Sequence, residues 1–424
     1  MKKKKVMPGL AVLLLLIAAL LLCGCGAAAN ASEKAAAQAT PEATPTPTPT
    51  PTPPQEVTFP DGSVHKLEES SLSLTSLKHA DVDAYVDCLK QMKSLSKVDL
   101  GEQSTARGLS WEDVGKLEAA CPGADLNYGF TLFEKHFTTL DEEMNFHHVP
   151  MDDEGAAVRE VLPHMKHCKL LDMDFTGVSS ERMAEIRDEY PDMKVVWRIF
   201  FGTDCSVRTD VERILASNLN HALNNYNTKE LKYCTKVRLF DVGHNQGLSD
   251  FSFMEYMPDL EVVIVSMTGF SDLNVLRNAR NLEYLEFHSC KEGMDLSPLV
   301  NNPNLEHICC CFLGRVQGWE AIKSLTKLQR FHMGYYTLLP DGALEELREL
   351  MPNCDFNNTN TVGSTGDWRY EANAGLVPRY AELCQQFEYD NYAHVCSSWF
   401  NDPMFYKDDG SYDYKSAYWF FPAE

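Results

Sequence analysis

The chain has little positive charge. Its 424 residues include 38 lysines and arginines against 61 aspartates and glutamates, which gives a formal net charge of −23. A surface of this sign repels phosphate backbones and anionic headgroups. The charge therefore argues against nucleic acid and anionic lipid as main partners, and it leaves cationic partners, metal ions and neutral glycans open.

The sequence also lacks the short motifs of several enzyme classes. The part that follows the N-terminal signal contains no Gly-x-Ser-x-Gly elbow, no His-Glu-x-x-His zinc helix, no phosphate-binding loop and no Cys-x-x-Cys pair. We predict that the protein is not an enzyme, assign it no catalytic residue, and expect neither a cofactor nor a metal.

Two groups of residues carry side chains that can bind metal. The first is His164, His167 and Cys168, with His147 and His148 upstream. The simpler interpretation is a helix end that leads into a strand. The second is Cys309-Cys310-Cys311, where alternation along a strand sends Cys310 to one side and the other two to the opposite side. Here we favour small residues accepted in a strand over a metal or redox site.

Long apolar runs are scarce, and the longest, Leu10 to Leu22, follows Lys2 to Lys5. It is short for a membrane span and is typical of an export signal. The segment Leu22-Cys23-Gly24-Cys25 resembles the lipobox of bacterial lipoproteins, which implies lipidation of Cys25 after removal of residues 1–24. An ordinary signal peptide or an uncleaved anchor is the alternative. Loss of four lysines changes the net charge from −23 to −27.

Residues 25–56 are rich in alanine, threonine and proline, with Thr-Pro alternation from Thr44 to Pro53. Such a segment has no core to bury and stays extended. We interpret it as a spacer that holds the folded part away from the membrane.

The second half contains a phrase of three apolar positions that returns every 22 or 23 residues. The copies are Val237-Phe240-Val242, Leu260-Val263-Val265, Leu282-Leu285-Phe287, Leu305-Ile308-Cys310 and Leu328-Phe331-Met333. Each predicts one short strand that cannot bury its apolar face alone, so the copies must stack as a solenoid. A second apolar row, clearest in Leu273 with Leu276 and Leu296 with Leu299, predicts the convex side.

Phrases such as Asp295-Leu296-Ser297-Pro298-Leu299 followed by Asn304-Leu305-Glu306 resemble the 22-residue leucine-rich repeats of the internalin family. The resemblance implies an α/β leucine-rich-repeat solenoid with a curved parallel β-sheet. That family places Asn or Cys eight residues after the first leucine, where Asn245 and Cys290 match and Thr268 matches more weakly. Leu313 and Tyr336 depart, which predicts irregular turns there.

We divide the rest of the folded part by its pattern. Residues 57–236 are predicted to form longer, degenerate α/β repeats, and residues 237–356 the regular repeats. Helices are predicted at 111–122, 180–191 and 341–352, each followed by proline and a strand. Residues 357–424 are rich in aromatics and are predicted to cap the solenoid; a platform that stacks on sugar rings is the alternative.

Residues between the apolar positions of each strand are expected to line the open side of the sheet, which is the concave side of a curved solenoid and which we call the polar face. Stacking of the repeats arranges these residues in columns, one of which contains Tyr284, His307 and Arg330 and another Glu286, Cys309 and His332. Our candidate ligand-binding residues are Glu261, Glu283, Tyr284, Glu286, His288, Glu306, His307, Arg330 and His332.

These features predict a surface protein that binds a protein or glycan through its polar face. Its membrane contact would be an N-terminal lipid on the outer face of a bacterial cytoplasmic membrane. Two alternatives remain open at this stage: an envelope hydrolase whose catalytic residues lie in the C-terminal tail, and a structural envelope scaffold.

Overall fold

A computed structural model of the chain describes residues 55–203, 205–217, 222–334 and 336–357, together with Glu382, Gln386, Trp419 and Phe420. All of these lie in one compact unit, Pro54–Glu424. The signal, the lipidation site and residues 25–54 of the predicted spacer lie outside the described residues, as does nearly all of the aromatic tail. The last residue assigned to the spacer, Glu56, lies in the first strand instead.

The folded part begins with a hairpin and a small sheet. Strands β1 (Glu56–Thr58) and β2 (Val64–Lys66) pair antiparallel. The turn between them uses Gly62, whose φ of 86° suits glycine. The next sheet has the order β3-β4-β5-β6, in which the first two pairings are parallel and the last is antiparallel. Its strands are β3 Ser71–Ser73, β4 Lys97–Glu102, β5 Asp125–Leu132 and β6 Lys135–Thr138.

A second parallel sheet follows, made of β7 Glu143–Asn145, β8 Leu170–Asp172 and β9 Lys194–Val196. The strand that the sequence predicts after the second helix has its apolar positions at Val195, Trp197 and Ile199. The prediction of one continuous strand there was wrong. The strand ends at Val196 because the backbone of Trp197 pairs with Thr209 instead. A separate strand, β10 (Arg198–Phe201), then pairs antiparallel with β11 (Cys205–Arg208).

Five α-helices lie in the described part of the chain: α1 Val82–Leu89, α2 Trp111–Ala120, α3 Ala156–Val161, α4 Ser180–Glu189 and α5 Ala343–Leu350. The three helices predicted from apolar spacing are confirmed as α2, α4 and α5. Helix α2 begins at a capping box, in which Ser110 and Asp113 satisfy each other's backbone N–H groups.

The regular repeats form one parallel seven-stranded sheet in unbroken chain order. Its strands are β12 Arg213–Leu215, β13 Leu239–Asp241, β14 Val262–Ile264, β15 Tyr284–Glu286, β16 His307–Cys309, β18 Arg330–His332 and β20 Asp355–Asn357. All five predicted strand phrases are confirmed, and β12 and β20 extend the stack on either side. This order and this parallel pairing are those of a solenoid.

The short parallel pair of β17 (Gly314–Arg315) and β19 (Thr337–Leu338) lies beside the last repeats. At the far end of the chain, the two-residue strand β21 (Trp419–Phe420) pairs antiparallel with β11.

The core lies between the seven-stranded sheet and a row of 3₁₀ helices. These helices are Lys229–Tyr233, Ser252–Tyr256, Leu273–Leu276, Ser297–Asn301 and Trp319–Ser324. The apolar residues of both predicted rows are buried, and Phe270 and Phe287 meet edge to face with ring centroids 6.4 Å apart. Burial of each such side chain contributes about 1.5–3 kcal/mol.

The predicted turn residues bond the backbone as expected. Asn245 donates through Nδ2 to the carbonyl oxygens of Ala216, Val242 and Gly243, and Thr268 donates to Val265 at 2.6 Å. Leu313 departs from the pattern and has no side chain that can bond the turn backbone. In its place the Thr337 hydroxyl of the following repeat accepts from Leu313 N at 3.2 Å. The added pair β17 and β19 is the irregularity at this place.

Within the described residues we find no helix with the length and apolar character needed to cross a membrane.

Candidate functional site: the polar face and its acidic column

The polar face has the register that the repeat predicts. Tyr284 pairs with His307 and His307 with Arg330, while Glu286 pairs with Cys309 and Cys309 with His332. Parallel strands lie about 4.8 Å apart, so these side chains are direct neighbours. The sequence therefore predicted correctly which residues share a column.

Exposure differs from the expectation for six of the nine candidates. Glu261, Glu283 and Glu306 are half-buried, whereas the others are at most 6 % exposed: Tyr284, Glu286, His288, His307, Arg330 and His332. The expectation of an open face was wrong for these six. Alternation gives the side of the sheet on which a residue lies, but not whether other parts of the fold cover that side.

Glu286 is the centre of a buried hydrogen-bond network on this face. Its carboxylate accepts from Ser266 Oγ at 2.7 Å and from the Tyr284 hydroxyl at 3.2 Å. His288 Nε2 lies 3.5 Å from the same carboxylate. The Tyr284 ring contacts the His307 ring with centroids 4.8 Å apart. A fully buried carboxylate needs such donors because transfer from water is costly.

Arg330 and His332 are buried with incomplete hydrogen bonding. Arg330 Nε and Nη1 and both ring nitrogens of His332 make no hydrogen bond in the described structure, although Arg330 Nε lies 3.7 Å from an Asp355 carboxylate oxygen. A buried polar group without a hydrogen bond costs about 1–3 kcal/mol. Such groups in a native structure need an explanation, and function is a common one.

Cys309, Cys311 and His332 form a compact buried group. The sulfur atoms and a ring nitrogen all lie within 4.8 Å of one another. A hydrogen bond with Cys309, and then the neighbouring His332, lower the pKa of the Cys311 thiol to about 6 although burial opposes the shift. Burial holds the pKa of Cys309 well above its usual range. Alternation along the strand correctly places both cysteines on this side, but the sequence pattern does not bring His332 to them.

The residues immediately before the strands form a column at the edge of the polar face, which we call the acidic column. Its members are Glu212, Arg238, Glu261, Glu283, Glu306 and Gln329. The backbone N–H of each of the last five donates to the carbonyl of the preceding member, at 2.7–2.9 Å. Four carboxylates and one guanidinium give it a net charge of −3, and five steps of about 4.8 Å make it about 24 Å long.

Three contacts fix side chains within the acidic column. Arg238 bridges Glu261 at 2.8 Å and Glu212 at 2.9 Å, and Gln329 donates to Glu306 at 2.8 Å. Gln386, from the C-terminal tail, also donates to Glu261 at 3.3 Å. The column is thus acidic, and all its members except the exposed Gln329 are half-buried.

A network of buried ion pairs in the first half was not recognised in the sequence. Arg198 holds Asp174 through two bonds of 2.9 Å, and Arg208 bridges Asp172 at 2.8 Å and Asp210 at 3.0 Å. Burial alone would raise the pKa of Asp174, but His147 and the two arginines lower it to about 2. The sequence does show two aspartates two residues apart, Asp172 and Asp174. It also shows two arginines, Arg198 and Arg208, in a later hairpin that could pair with them.

The histidines weighed as metal ligands do not converge. His164 bonds Glu118 at 2.8 Å, His167 bonds Asp125 at 3.0 Å, and the Cys168 thiol donates to the Leu170 carbonyl. These partners favour the simpler interpretation of a helix end. The ten cysteines that the structure describes are free thiols, and seven of them are buried.

No family model and no curated protein matches the sequence. Solved structures similar to the chain include an internalin of Listeria monocytogenes, at 11 % identity over 65 % of each chain with a TM-score of 0.30. Internalin C2 of the same species is 13 % identical over 57 % of this chain and 84 % of its own, with a TM-score of 0.28. A leucine-rich-repeat protein of Leptospira interrogans is 14 % identical over 63 % and 73 %, also at 0.28. The chain spans under two thirds of the length of the first of these structures.

Proposed function

We propose that the protein is a non-enzymatic binding protein of the cell surface that recognises a cationic partner through its acidic column. The observation that carries this proposal is the unbroken backbone ladder that holds Glu261, Glu283 and Glu306 in consecutive repeats. Three carboxylates in neighbouring strands give this edge of the sheet a continuous negative charge, which attracts cationic groups. A chain whose net charge is −23 adds long-range attraction for the same class of partner.

The geometry suits a basic protein surface or an extended basic segment. A column about 24 Å long, with one carboxylate every 4.8 Å or so, offers successive sites to lysine or arginine side chains. Gln386 already donates to Glu261, so this carboxylate accepts donors from outside the repeats. A neutral glycan fits less well, because nothing in its chemistry uses the charge.

We propose a supporting role for the buried residues of the polar face. Tyr284, His307 and Arg330 each follow a member of the acidic column directly in sequence. Their packing and the hydrogen bonds of Glu286 fix the backbone from which the column residues project. Contact with the partner is then assigned to Glu261, Glu283 and Glu306, and rigidity to Tyr284, Glu286, His288, His307, Arg330 and His332.

The test is a screen of the full chain against arrays of secreted proteins and of glycans, followed by titration of each hit. The triple variant Glu261→Gln, Glu283→Gln and Glu306→Gln removes the charges and keeps the side-chain size. A matched control, Glu320→Gln with Glu345→Gln and Glu349→Gln, removes three exposed carboxylates from the helical side of the repeats. We expect basic proteins among the hits and loss of affinity only in the first variant.

The location of the protein is also a proposal, and it rests on the sequence. Leu22-Cys23-Gly24-Cys25 at the end of an export signal supports lipidation of Cys25, and the Thr-Pro spacer supports display of the repeats away from the membrane. A surface position would place the acidic column where extracellular proteins can reach it.

A further inference from the structure

We propose that Cys309, Cys311 and His332 bind one thiophilic divalent metal ion of the Zn²⁺ class within the polar face. This site is separate from the acidic column and does not depend on the binding function proposed above.

The backbone brings the three ligands together. Cys309 and Cys311 are two residues apart along one strand direction, so both side chains lie on the same side of the sheet. The backbone ladder continues past the end of β16, since Cys309 and Cys311 both accept from the neighbouring repeat, at 3.0 and 2.9 Å. His332 pairs with Cys309 on β18. The ligand set therefore spans two consecutive repeats.

The distances suit a tetrahedral metal. Bonds of about 2.3 Å to sulfur and about 2.0 Å to nitrogen place the ligand atoms of a zinc site roughly 3.5–3.8 Å apart. The three ligand atoms lie within 4.8 Å of one another, so a small change of side-chain rotamer is sufficient. Thiolate and imidazole are the ligands that select Zn²⁺ over the harder Ca²⁺ and Mg²⁺.

An independent observation points to a ligand here. His332 is 1 % exposed, and neither ring nitrogen makes a hydrogen bond in the described structure. A metal–nitrogen bond supplies the missing interaction for one of these nitrogens. The other is then in position to be fixed by a further donor or acceptor, as is usual for metal-bound histidine.

Burial and charge indicate a structural rather than a catalytic metal. Cys309 and Cys311 have no exposed surface. Two thiolates neutralise a divalent ion, which suits a buried position. Glu286 pairs with Cys309 on the other side, across β15 and β16. Its carboxylate is a candidate for the fourth position. The ion would then tie three repeats together.

The first experiment measures metal in the full chain purified without chelator. We expect about one zinc ion per chain by mass spectrometry of the metals. After removal of metal under reducing denaturing conditions and refolding, titration with Co²⁺ should saturate at one equivalent. It should give the visible d–d bands of a tetrahedral site and a thiolate-to-cobalt charge-transfer band in the near ultraviolet.

Variants locate the site. Cys309→Ser, Cys311→Ser and His332→Ala should each lower the affinity for Zn²⁺ by at least about tenfold. Cys310→Ala, which changes the cysteine between them on the opposite side of the strand, and Cys88→Ser, in α1, should retain the metal. If the ligand variants do not fold, X-ray absorption at the zinc edge of the unaltered protein identifies the atoms bound to zinc. It should show two sulfur neighbours.

Three results would overturn the proposal. One is a folded protein that takes up no zinc or cobalt after reduction and incubation with the ion. Another is a disulfide between Cys309 and Cys311 in the purified chain, seen by peptide mass spectrometry without reduction. The last is bound zinc with only oxygen and nitrogen neighbours.

Discussion

Asn245 and Ala216 belong to consecutive repeats, and the Asn245 side-chain amide donates to the Ala216 carbonyl oxygen at 2.8 Å. The same amide donates to Val242 and Gly243, and its oxygen accepts from Leu223 N at 3.3 Å. One side chain thus satisfies backbone groups of two repeats at a buried turn, where water cannot replace it.

Replacement of Asn245 by alanine should destabilise the fold strongly. Several buried backbone groups lose their partner at once, so we expect a loss of about 2–4 kcal/mol in the free energy of unfolding. The measurement is chemical denaturation followed by circular dichroism. Asn278→Ala, which removes an exposed bond to the Glu255 carbonyl, is the control and should change stability by less than about 0.5 kcal/mol. Equal effects would show that the turn bonds contribute little.

The buried carboxylate of Asp174 should make stability depend on acid pH. Its pKa is lowered from 3.8 to about 2 in the folded state. A depressed pKa contributes stability that is present above the unfolded value and is lost as pH falls through the folded value. Between about pH 4 and pH 2, Asp174 should therefore account for a loss of about 2 kcal/mol.

Asp174→Asn tests this directly by urea denaturation across that pH range. At neutral pH the variant should be less stable by about 3–5 kcal/mol, because Arg198 remains buried without its carboxylate. Its stability should also fall less steeply below about pH 4 than that of the unaltered chain. Asp188→Asn, at an exposed position, should change neither quantity. If the stability of Asp174→Asn fell as steeply below about pH 4 as that of the unaltered chain, the acid dependence would not come from Asp174.

The variant Tyr284→Phe tests whether Tyr284 stabilises the polar face or contacts the partner. The variant removes the hydroxyl that donates to Glu286 and keeps the ring against His307. We expect a loss of about 1–2 kcal/mol in thermal or chemical unfolding, since the buried carboxylate loses a donor. Affinity for a partner bound by the acidic column should stay within about twofold. A larger loss of affinity with unchanged stability would make Tyr284 a contact residue.

Lipidation of Cys25 predicts a sharp change in location. In cells of a bacterial host that processes lipoproteins, the unaltered chain should fractionate with membranes and take up a labelled fatty acid. Cys25→Ala should lose the label and leave the membrane fraction, while Cys23→Ala should keep both. An unchanged membrane fraction in Cys25→Ala would favour an uncleaved anchor.

Sequence pattern predicted the repeats well because strand and helix periods are local properties. The five strand phrases, helices α2, α4 and α5, and the columns of the polar face follow from apolar spacing alone. The break at Trp197 was missed because it depends on a distant partner, Thr209. Burial of Tyr284 and Glu286 was missed for a related reason: a two-residue period gives the side of a sheet but not what lies against it.

The buried group of Cys309, Cys311 and His332 was also not predictable from local sequence pattern. Spacing alone placed the two cysteines on one side of the strand, but the third member lies a full repeat later. Only the register between β16 and β18 brings His332 to them. Long-range pairing of this kind is invisible in a single local window.

Recognition through the acidic column is tested most directly by measuring the affinity of a basic partner. Biolayer interferometry of the strongest protein hit should show at least about tenfold weaker binding by the Glu261→Gln, Glu283→Gln, Glu306→Gln variant, since three charge pairs at about 0.5–1 kcal/mol each are lost. The Glu320→Gln, Glu345→Gln, Glu349→Gln variant should bind like the unaltered chain. Equal affinity of all three proteins for that hit would contradict recognition through the acidic column.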